Sequence, residues 1–541
     1  MKRVILKNLR ISIVVIVLTS VVAAACLYAQ TPPDRPPAGL AASSPPTISL
    51  AEAVLKTIQA NPGVSIQKET VVQGEGLLQQ AAGAFDLVAT SQVSTERARS
   101  PLDQYTERQA MAAGIPFPDY IQTETRAYGV GLSKLTRSGV SIAPSISATD
   151  FYDSSSGKVS QTASILNFTV NVPLLRNLGR EATGAGELAQ ESSLKAARHT
   201  TRHNIAQLIN ITAGNYWACL ASRMSFELTM DTQRRAQTLL DLVESLVRAG
   251  SLEPAALNQA QANLLSNRVD VRGQEETLYT GRQALAVGMG LTPQEMAGAP
   301  DPVGVFPEVV SETQLEAVDI QSHIRAALRQ RGDYLGAQTD IETAAILLRQ
   351  AQNQIKPRLD LGLSAGYAGL SEETDASRYY RALDSKLRGV NYLLTLNLEL
   401  PIENNAAKGN LVWRKSRARV SDLALKGLAN QISSETLVAF EGVRAAVNEY
   451  QLAEQAETAY QKAVEFENQK YMSGGSTLTA VIDVEGRYSK ARTTRIEVLR
   501  KYATALANFR FVTGSLLDQR EGTEQFDLSR LLVFPKQGEN K

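Results

Sequence analysis

The chain has little of the chemistry on which most catalytic and metal sites depend. Its 541 residues include only two cysteines and three histidines. Cys26 ends an N-terminal apolar segment and Cys219 falls within a helical pattern, so no framework of disulfides can form inside the mature fold. We interpret Cys219 as a packed side chain and not as a reactive thiol.

The histidines do not form a recognisable site. His199 and His203 are four residues apart and could share a helix face, as metal ligands do. Arg198 and Arg202 adjoin them and no carboxylate or cysteine pair lies nearby, which favours a solvated helix face. The sequence also lacks a phosphate-binding loop and a nucleophile elbow. We therefore predict no enzymatic activity, no metal and no cofactor.

An excess of one charge is absent as well. Basic residues number 56 and acidic residues 55, which gives a formal net charge of +1. A balanced chain has no long-range field that would attract a polyanion. The composition therefore indicates no nucleic-acid partner.

The N-terminus has the pattern of a secretory signal. Basic residues precede an apolar run over residues 11–25, which is too short to favour a membrane-spanning helix. We predict a signal peptide over residues 1–29 and a proline-rich linker over residues 30–47. The run that ends in Cys26 loosely resembles the site at which bacterial lipoproteins are cleaved and lipidated. Lipidation of Cys26 and ordinary signal cleavage both stay open.

What the chain does have is a duplicated pattern. Two glycines forty residues apart punctuate a helical pattern in each half, Gly250 with Gly290 and Gly474 with Gly514. An alternating strand that ends in proline precedes each pair. Such an internal repeat decides the fold. The predicted segments are a first structural repeat, a second structural repeat and a C-terminal tail, over residues 48–305, 306–520 and 521–541.

Each half contains one helical pattern of unusual length. Residues 182–249 and 406–473 are rich in alanine, leucine and glutamine and almost free of proline. At 1.5 Å per residue each helix would be roughly 100 Å long. Apolar and small residues recur at steps of three and four, which predicts a coiled-coil seam. Residues 254–289 and 477–512 are predicted to return antiparallel, so each half forms a helical hairpin.

The strands that lead into the hairpins alternate apolar and polar residues. Residues 166–173 and 392–400 do so over about nine residues, the length and period of a tilted strand that crosses a bilayer. Residues 85–93 and 359–367 supply a matching strand in each half. One such strand alone would more often be half-buried in a soluble protein. Four of them between long helices lack the apolar sequence that would cover a second face.

A sheet that spans a membrane must close, because open edges cannot be satisfied in lipid. Four strands per chain are too few to enclose a pore, so we expect several chains to share one barrel. Residues 126–150 are predicted to form a loop with its own hairpin around Arg137–Gly139. This hairpin could extend the strands above the membrane or form a surface loop, and both readings stay open.

These elements together resemble the outer membrane efflux protein family, the channel components of Gram-negative multidrug efflux and type I secretion. The resemblance covers the chain from Ile48 to about Leu517. The order, duplication and spacing of its motifs are the features that make the resemblance specific. The motifs that carry it are Ala60-Asn61-Pro62, the strand end over residues 172–180, its duplicate Leu400-Pro401-Ile402 and the glycine hairpin tips.

The resemblance implies an α+β membrane protein that assembles as a homotrimer. Its duplicated strand-strand-hairpin units would form a twelve-stranded β-barrel in the outer membrane lipid of a Gram-negative bacterium. A periplasmic barrel of twelve coiled-coil helices would continue it and open by untwisting at the inner tip. Two partners are implied, a periplasmic adaptor (membrane fusion protein) and an inner membrane RND or ABC transporter.

The resemblance also suggests site residues. Family members have two aspartates near the second hairpin tip; here Asp483 matches the second and Ala480 replaces the first. Asp483 is thus a candidate tunnel constriction, where three copies would focus cations. A solvated charge near a helix start is the alternative. Ser476 stands where the best-known members have a basic latch residue, so we do not expect that latch.

Gly250, Gly474 and Gly475 are the candidate hairpin tips at which an adaptor would dock. A glycine that follows a helix is also an ordinary C-cap, a role that needs no partner.

We predict a passive outer membrane channel, an efflux or export duct that receives substrates from a periplasmic adaptor and an inner membrane transporter. The alternative is a periplasmic coiled-coil adaptor or scaffold protein without a pore. Such an adaptor would have one hairpin flanked by compact β domains, whereas this sequence has two hairpins.

Overall fold

The computed structural model describes residues 46–112, 114, 120–154, 160–373, 375–384, 390–517 and 529–535. Cys26, the predicted signal peptide and nearly all of the predicted linker lie outside these residues. The folded unit begins at Thr47.

The elements of the first half are β1 (Thr47–Ile48), α1 (Leu50–Ala60), α2 (Pro62–Ala82), β2 (Leu87–Pro101), α3 (Gln104–Ala112), β3 (Tyr120–Leu135), β4 (Ser141–Asp153), β5 (Ser160–Pro173), α4 (Arg180–Thr183), α5 (Ala185–Arg248), α6 (Pro254–Met289), α7 (Pro293–Met296) and β6 (Asp301–Pro302). Those of the second half are α8 (Glu312–Glu316), α9 (Ile320–Gln330), α10 (Gly332–Gln354), β7 (Arg358–Ser371), α11 (Arg378–Asp384), β8 (Asn391–Glu399), α12 (Asn405–Met472), α13 (Leu478–Val512) and α14 (Ser529–Leu532).

Both helical hairpins have bounds close to those predicted. The long helices α5 and α12 contain 64 and 68 residues, and α6 and α13 return beside them. Helices α9 and α10 were not predicted, and they repeat in the second half the broken helix α1–α2 of the first. No helix in the described part of the chain has the length and apolar content needed to cross a membrane.

Local signals set where the helices begin. Ser49 and Glu52 form a capping box at the start of α1. Asn61 ends α1 and caps α2, whose first residue is Pro62. The predicted break at this Asn-Pro pair is therefore present.

The long helices form one layer in a fixed order. Helix α5 contacts α2 and α6 on one side and α10 and α13 on the other. Helix α12 packs against α10 and α13. The layer thus begins with α2 and α6 and ends with α12.

Among the described residues, the main sheet contains six antiparallel strands in the order β2-β3-β4-β5-β7-β8. The prediction of four strands per chain is therefore wrong. The segment predicted as a loop with a hairpin forms the full-length strands β3 and β4, which lie between β2 and β5. The alternation that marked the hairpin was correct, but sequence spacing could not show that its strands pair with both neighbours.

Apolar side chains fill the helical layer in separate clusters. The largest surrounds Tyr216 and Trp217 of α5 and includes Leu531 of α14, so part of the predicted C-terminal tail belongs to the core. A second cluster surrounds Phe440 of α12 and Phe509 of α13. A third lies nearer the hairpin tips.

Candidate functional site

The sheet has two chemically different faces. Residues opposite each other on paired strands share a face, and the register puts Val170, Leu363 and Leu394 in one row. Apolar residues on that face of β5, β7 and β8 include Leu166, Phe168, Val170, Val172, Leu359, Leu361, Leu363, Tyr392, Leu394, Leu396 and Leu398. The other face carries mostly polar and small residues, including Asn167, Asn171, Gly362, Ser364 and Thr395. This arrangement suits a sheet with lipid on one face and water on the other.

The sheet ends in two unpaired edges. Within the described residues, β2 pairs only with β3 and β8 pairs only with β7. Every residue of β8 except Thr395 is exposed, and β2 is exposed along nearly its whole length. An open edge of this length is a template for another strand.

The helical layer has matching open sides. Exposed apolar residues lie along α12, namely Val412, Trp413, Val420, Leu423, Leu437, Val438, Leu452 and Phe466. Others lie along α2 and α6, namely Ile66, Val72, Leu77, Leu265, Val269, Tyr279 and Val287. Exposed apolar surface on this scale marks a surface that another protein covers.

The two hairpin tips share one backbone geometry. Gly250 and Gly474 have φ values of 73° and 78°, which an L side chain rarely adopts. In the first tip the Ser251 N–H donates to Leu246 O over 2.9 Å, and in the second the Gly475 N–H donates to Lys470 O over 2.9 Å. These bonds form Schellman caps. A Cβ on Gly250 or Gly474 would meet nothing within 4 Å, so both tips are open to a partner.

Asp483 lies exposed in the second turn of α13. Its Oδ2 is 2.9 Å from Nε of Arg487, one helical turn further on. The charge of Asp483 raises the pKa of Arg487 above its usual value. The ion pair with Arg487 was not predicted, although an acidic and a basic residue at i and i+4 on a helix are a known signal for such a pair. A neighbouring cation weakens any field that Asp483 alone would exert.

The chain is similar in part to one known protein family in sequence. The sequence model of the family described as outer membrane efflux protein matches residues 130–291. No curated protein sequence matches the chain significantly.

Solved structures share the fold over most of the chain. The CmeC outer membrane channel of Campylobacter jejuni is 13% identical, with a TM-score of 0.60 over 90% of this chain and 94% of that one. The open state of the MtrE outer membrane channel of Neisseria gonorrhoeae is 14% identical, with a TM-score of 0.59 over 86% and 89%. The outer membrane protein VceC of Vibrio cholerae is 15% identical, with a TM-score of 0.59 over 86% and 96%.

The predicted resemblance to the outer membrane efflux proteins is confirmed. With it the general role of an efflux duct is supported, and the predicted outer membrane location is confirmed. The prediction of a non-enzymatic protein is confirmed by this match, because the matching family and the similar solved structures are channels, and not by a missing site. The match covers the β3–β4 hairpin in part, together with β5, α5 and α6.

Polar contacts join the two hairpins near their tips. Arg235 of α5 donates to Glu485 of α13 over 3.1 Å, and Arg492 of α13 donates to Asp231 of α5 over 3.3 Å. Burial opposes ionisation of Asp231, but Arg235 and Arg492 outweigh it and hold its pKa below the usual value. A cleft of about 860 Å³ lies beside these contacts, between α5, α6 and α13. Ion pairs thus link the two hairpins beside an open cleft.

The remaining sequence candidates have structural roles. Cys219 is fully buried, and burial raises the pKa of its thiol to about 12, so it is packed as predicted. The prediction of a solvated face is wrong for His203. This side chain lies half-buried against Phe511, with its Nδ1 3.6 Å from Asp333. Among the described residues, no three His, Cys, Asp or Glu side chains cluster as a metal site would require.

Proposed function

We propose that three copies of this chain form a passive duct through the outer membrane. The observation that carries this proposal is the pair of open sides on each copy, present in the sheet and in the helical layer alike. Edges exposed to lipid cannot be left unpaired. A head-to-tail interface repeated around an axis satisfies them all by closing a ring.

The sheet and the helical layer favour the same arrangement of adjacent copies. In the sheet, the open edges belong to β2 at the start of the first half and β8 in the second. In the helical layer, the open sides belong to α2 and α6 in the first half and α12 in the second. One contact between adjacent copies would therefore join β2 to β8 and α2–α6 to α12.

We propose that substrates enter at the hairpin tips, where a periplasmic adaptor docks. Gly250, Gly474 and Gly475 are the proposed contact points, because the caps leave open space around Gly250 and Gly474 and because Gly475 directly follows the second of them. An inner membrane transporter of the RND or ABC type would supply the energy for transport.

We further propose Asp483 as the constriction residue, acting together with Arg487. A ring of three such pairs would be close to neutral, so we expect weak cation preference and not strong block by divalent cations.

The proposed segments are the signal peptide at 1–29, the linker at 30–47, the repeats at 48–305 and 306–520, and the tail at 521–541. Mass spectrometry of the mature N-terminus tests the first boundary. An added mass of acyl chains on Cys26 would support lipidation, and an unmodified N-terminus would exclude it.

The duct is tested by reconstituting the mature protein in a planar bilayer. We expect stable single-channel currents linear in voltage, with threefold rings in electron micrographs of the same sample. Trp413 on α12 provides a control, because acrylamide should quench it far less in the ring than in dissociated copies. A soluble monomer without conductance would contradict the proposal and favour the pore-free scaffold.

A further inference from the structure

The β3–β4 hairpin has the same two faces as the rest of the sheet. Apolar residues at alternate positions share the face of Val170 and Leu394, namely Tyr128, Val130 and Leu132 on β3 and Ile142 and Ile146 on β4. The residues between them are polar or small, namely Gly129, Gly131, Ser133, Ser141, Ser145 and Ser147. Val130 is 55% exposed and Leu132 41%. A loop above the membrane would have no use for this apolar stripe.

The hairpin also runs the full height of the sheet. Its turn lies at the helical end, where the Gly179 N–H donates to Ser138 O over 2.9 Å. Arg137 in the same turn forms an ion pair with Glu187 in the first turn of α5, at 2.5 Å. At the far end β4 still pairs with β5, at Tyr152 and Ser160. Both strands therefore cross the apolar zone as their neighbours do.

We propose that β3 and β4 are part of the membrane wall, so that three copies form an eighteen-stranded barrel and not a twelve-stranded one. This inference rests on the proposed threefold duct. Six strands per copy in three copies make eighteen. At a spacing of about 4.8 Å and a tilt of about 35°, eighteen strands give a backbone diameter of about 34 Å, against about 23 Å for twelve. The membrane end is then much wider than twelve strands would allow.

The apolar face determines how the strands tilt. One row of paired residues runs through Leu87, Lys134, Ile142, Val170, Leu363 and Leu394. On β2 the apolar residues of this face run from Leu87 outward to Val93, away from the helices. On β8 they run from Tyr392 to Leu398, mostly on the helical side of the row. The apolar zone thus shifts by about one residue per strand, and it stays level in a membrane if the strands tilt by about 35°.

The same shift gives the register between copies. A shift of one residue per strand adds up to about six residues over the six strands of one copy. Strand β2 of the next copy is therefore displaced by about six residues toward the helices. That stagger places Val93 of one copy opposite Leu394 of the next. Six is an even number, so both residues lie on the apolar face. All nine residues of β8 would then have a partner on β2.

Paired cysteines test this register in the full mature chain. The variant Val93→Cys with Leu394→Cys should form covalent trimers on a non-reducing gel after mild oxidation. The matched control is Val93→Cys with Leu393→Cys, whose second cysteine points to the opposite face and should give at least tenfold less trimer. Equal yields from both variants, or none from the first, would overturn the register.

The number of strands is tested by electron microscopy of the unmodified chain in lipid nanodiscs. A threefold barrel with eighteen strands is the expected result. A threefold barrel with twelve strands would overturn this inference but leave the proposed duct intact. Particles without a ring would overturn both.

Single cysteines on the hairpin give an independent readout. Val130→Cys should react with a thiol probe dissolved in lipid, and Ser145→Cys with a water-soluble one. Leu166→Cys and Asn167→Cys on β5 are the matched controls for the two faces. A hairpin outside the wall would leave Val130→Cys open to the water-soluble probe, and the proposal would fail.

Discussion

The two halves of the chain share one helical skeleton but close its central junction in different ways. In the first half the end of α6 abuts the break between α1 and α2, where a Cβ on Gly290 would lie 2.4 Å from Cα of Asn61. In the second half the end of α13 abuts the break between α9 and α10, where a Cβ on Gly514 would lie 3.0 Å from N of Arg331. The backbone arrangement is thus duplicated down to the glycine.

The side chains at the two junctions are not duplicated. Asn61 Nδ2 donates to Gly288 O over 2.7 Å, a neutral hydrogen bond. Arg331 is nearly fully buried and forms ion pairs with Asp333 at 2.7 Å and Glu435 at 2.6 Å. The repeated backbone therefore requires glycine at both junctions. The polar side chain that forms hydrogen bonds there can be neutral, as in the first half, or charged, as in the second.

The largest expected effect is at the junction glycines. Gly290→Ala should destabilise the protein by about 3 to 5 kcal/mol, because backbone strain at φ 74° adds to a clash with Asn61. Gly514→Ala should cost less, since its nearest contact is longer. Gly250→Ala at the open tip is the control and should cost only about 1 to 2 kcal/mol. Unfolding in denaturant measures all three, and equal losses would contradict the close-packed junction.

The ionic junction should be the next most sensitive. Arg331→Met would leave Asp333 and Glu435 without their cation, and we expect a loss of about 2 to 4 kcal/mol, reduced by their partial exposure. Asn61→Ala in the first half removes a cap and one hydrogen bond, so about 1 to 2 kcal/mol should be lost. Denaturant titration of the two variants checks the order. A greater loss for Asn61→Ala would show that the ionic junction is not the stronger constraint.

Acid should weaken the second junction more than the first. Burial lowers the pKa of His203, opposed in part by Asp333 and Glu435 and aided by Arg331. Burial also lowers the pKa of His323, with Arg510 adding to the effect and Asp319 opposing it. As the pH falls, His203 and His323 are therefore protonated in the unfolded chain before they are protonated in the folded protein.

The stability that neutral His203 and His323 contribute is present above their ordinary pKa of 6.5 and falls as the pH drops through their folded values. We expect the melting temperature to decrease between pH 7 and pH 5. The decrease should be smaller in the variant His203→Gln with His323→Phe. An unchanged pH profile in that variant would assign the acid sensitivity to other groups.

The smallest effect on stability is expected at the tips. Nine residues after the tip glycine the second half has Asp483 and the first half has Gln259, whose Nε2 donates to Thr479 over 2.9 Å. Arg487→Gln should leave the stability almost unchanged, because both members of the ion pair are exposed to solvent. It should raise the cation preference of the channel, because it leaves Asp483 unpaired. Reversal potentials in a salt gradient measure this cation preference, and Gln259→Ala is the control. An unchanged reversal potential in Arg487→Gln would argue against a pore-facing Asp483.

Much of the helical part follows from local sequence. The tip glycines, the Asn61-Pro62 break and the start and end of α6 were all predicted, because caps, turn residues and helical periodicity act over a few residues. The alternation on β5, β7 and β8 was equally visible. The missed pair α9–α10 and the pair Asp483–Arg487 also have local signals, in amphipathic spacing and in i,i+4 charge.

The sequence by itself determined the duplication, the two hairpins and the two-faced strands. Only the tertiary structure decided that β3 and β4 insert between β2 and β5, that Arg331 is buried between two carboxylates and that His203 leaves the solvated face. Each of these depends on which elements meet across long stretches of chain. Periodicity records which face of an element is apolar, but the identity of the element that covers it is set by packing.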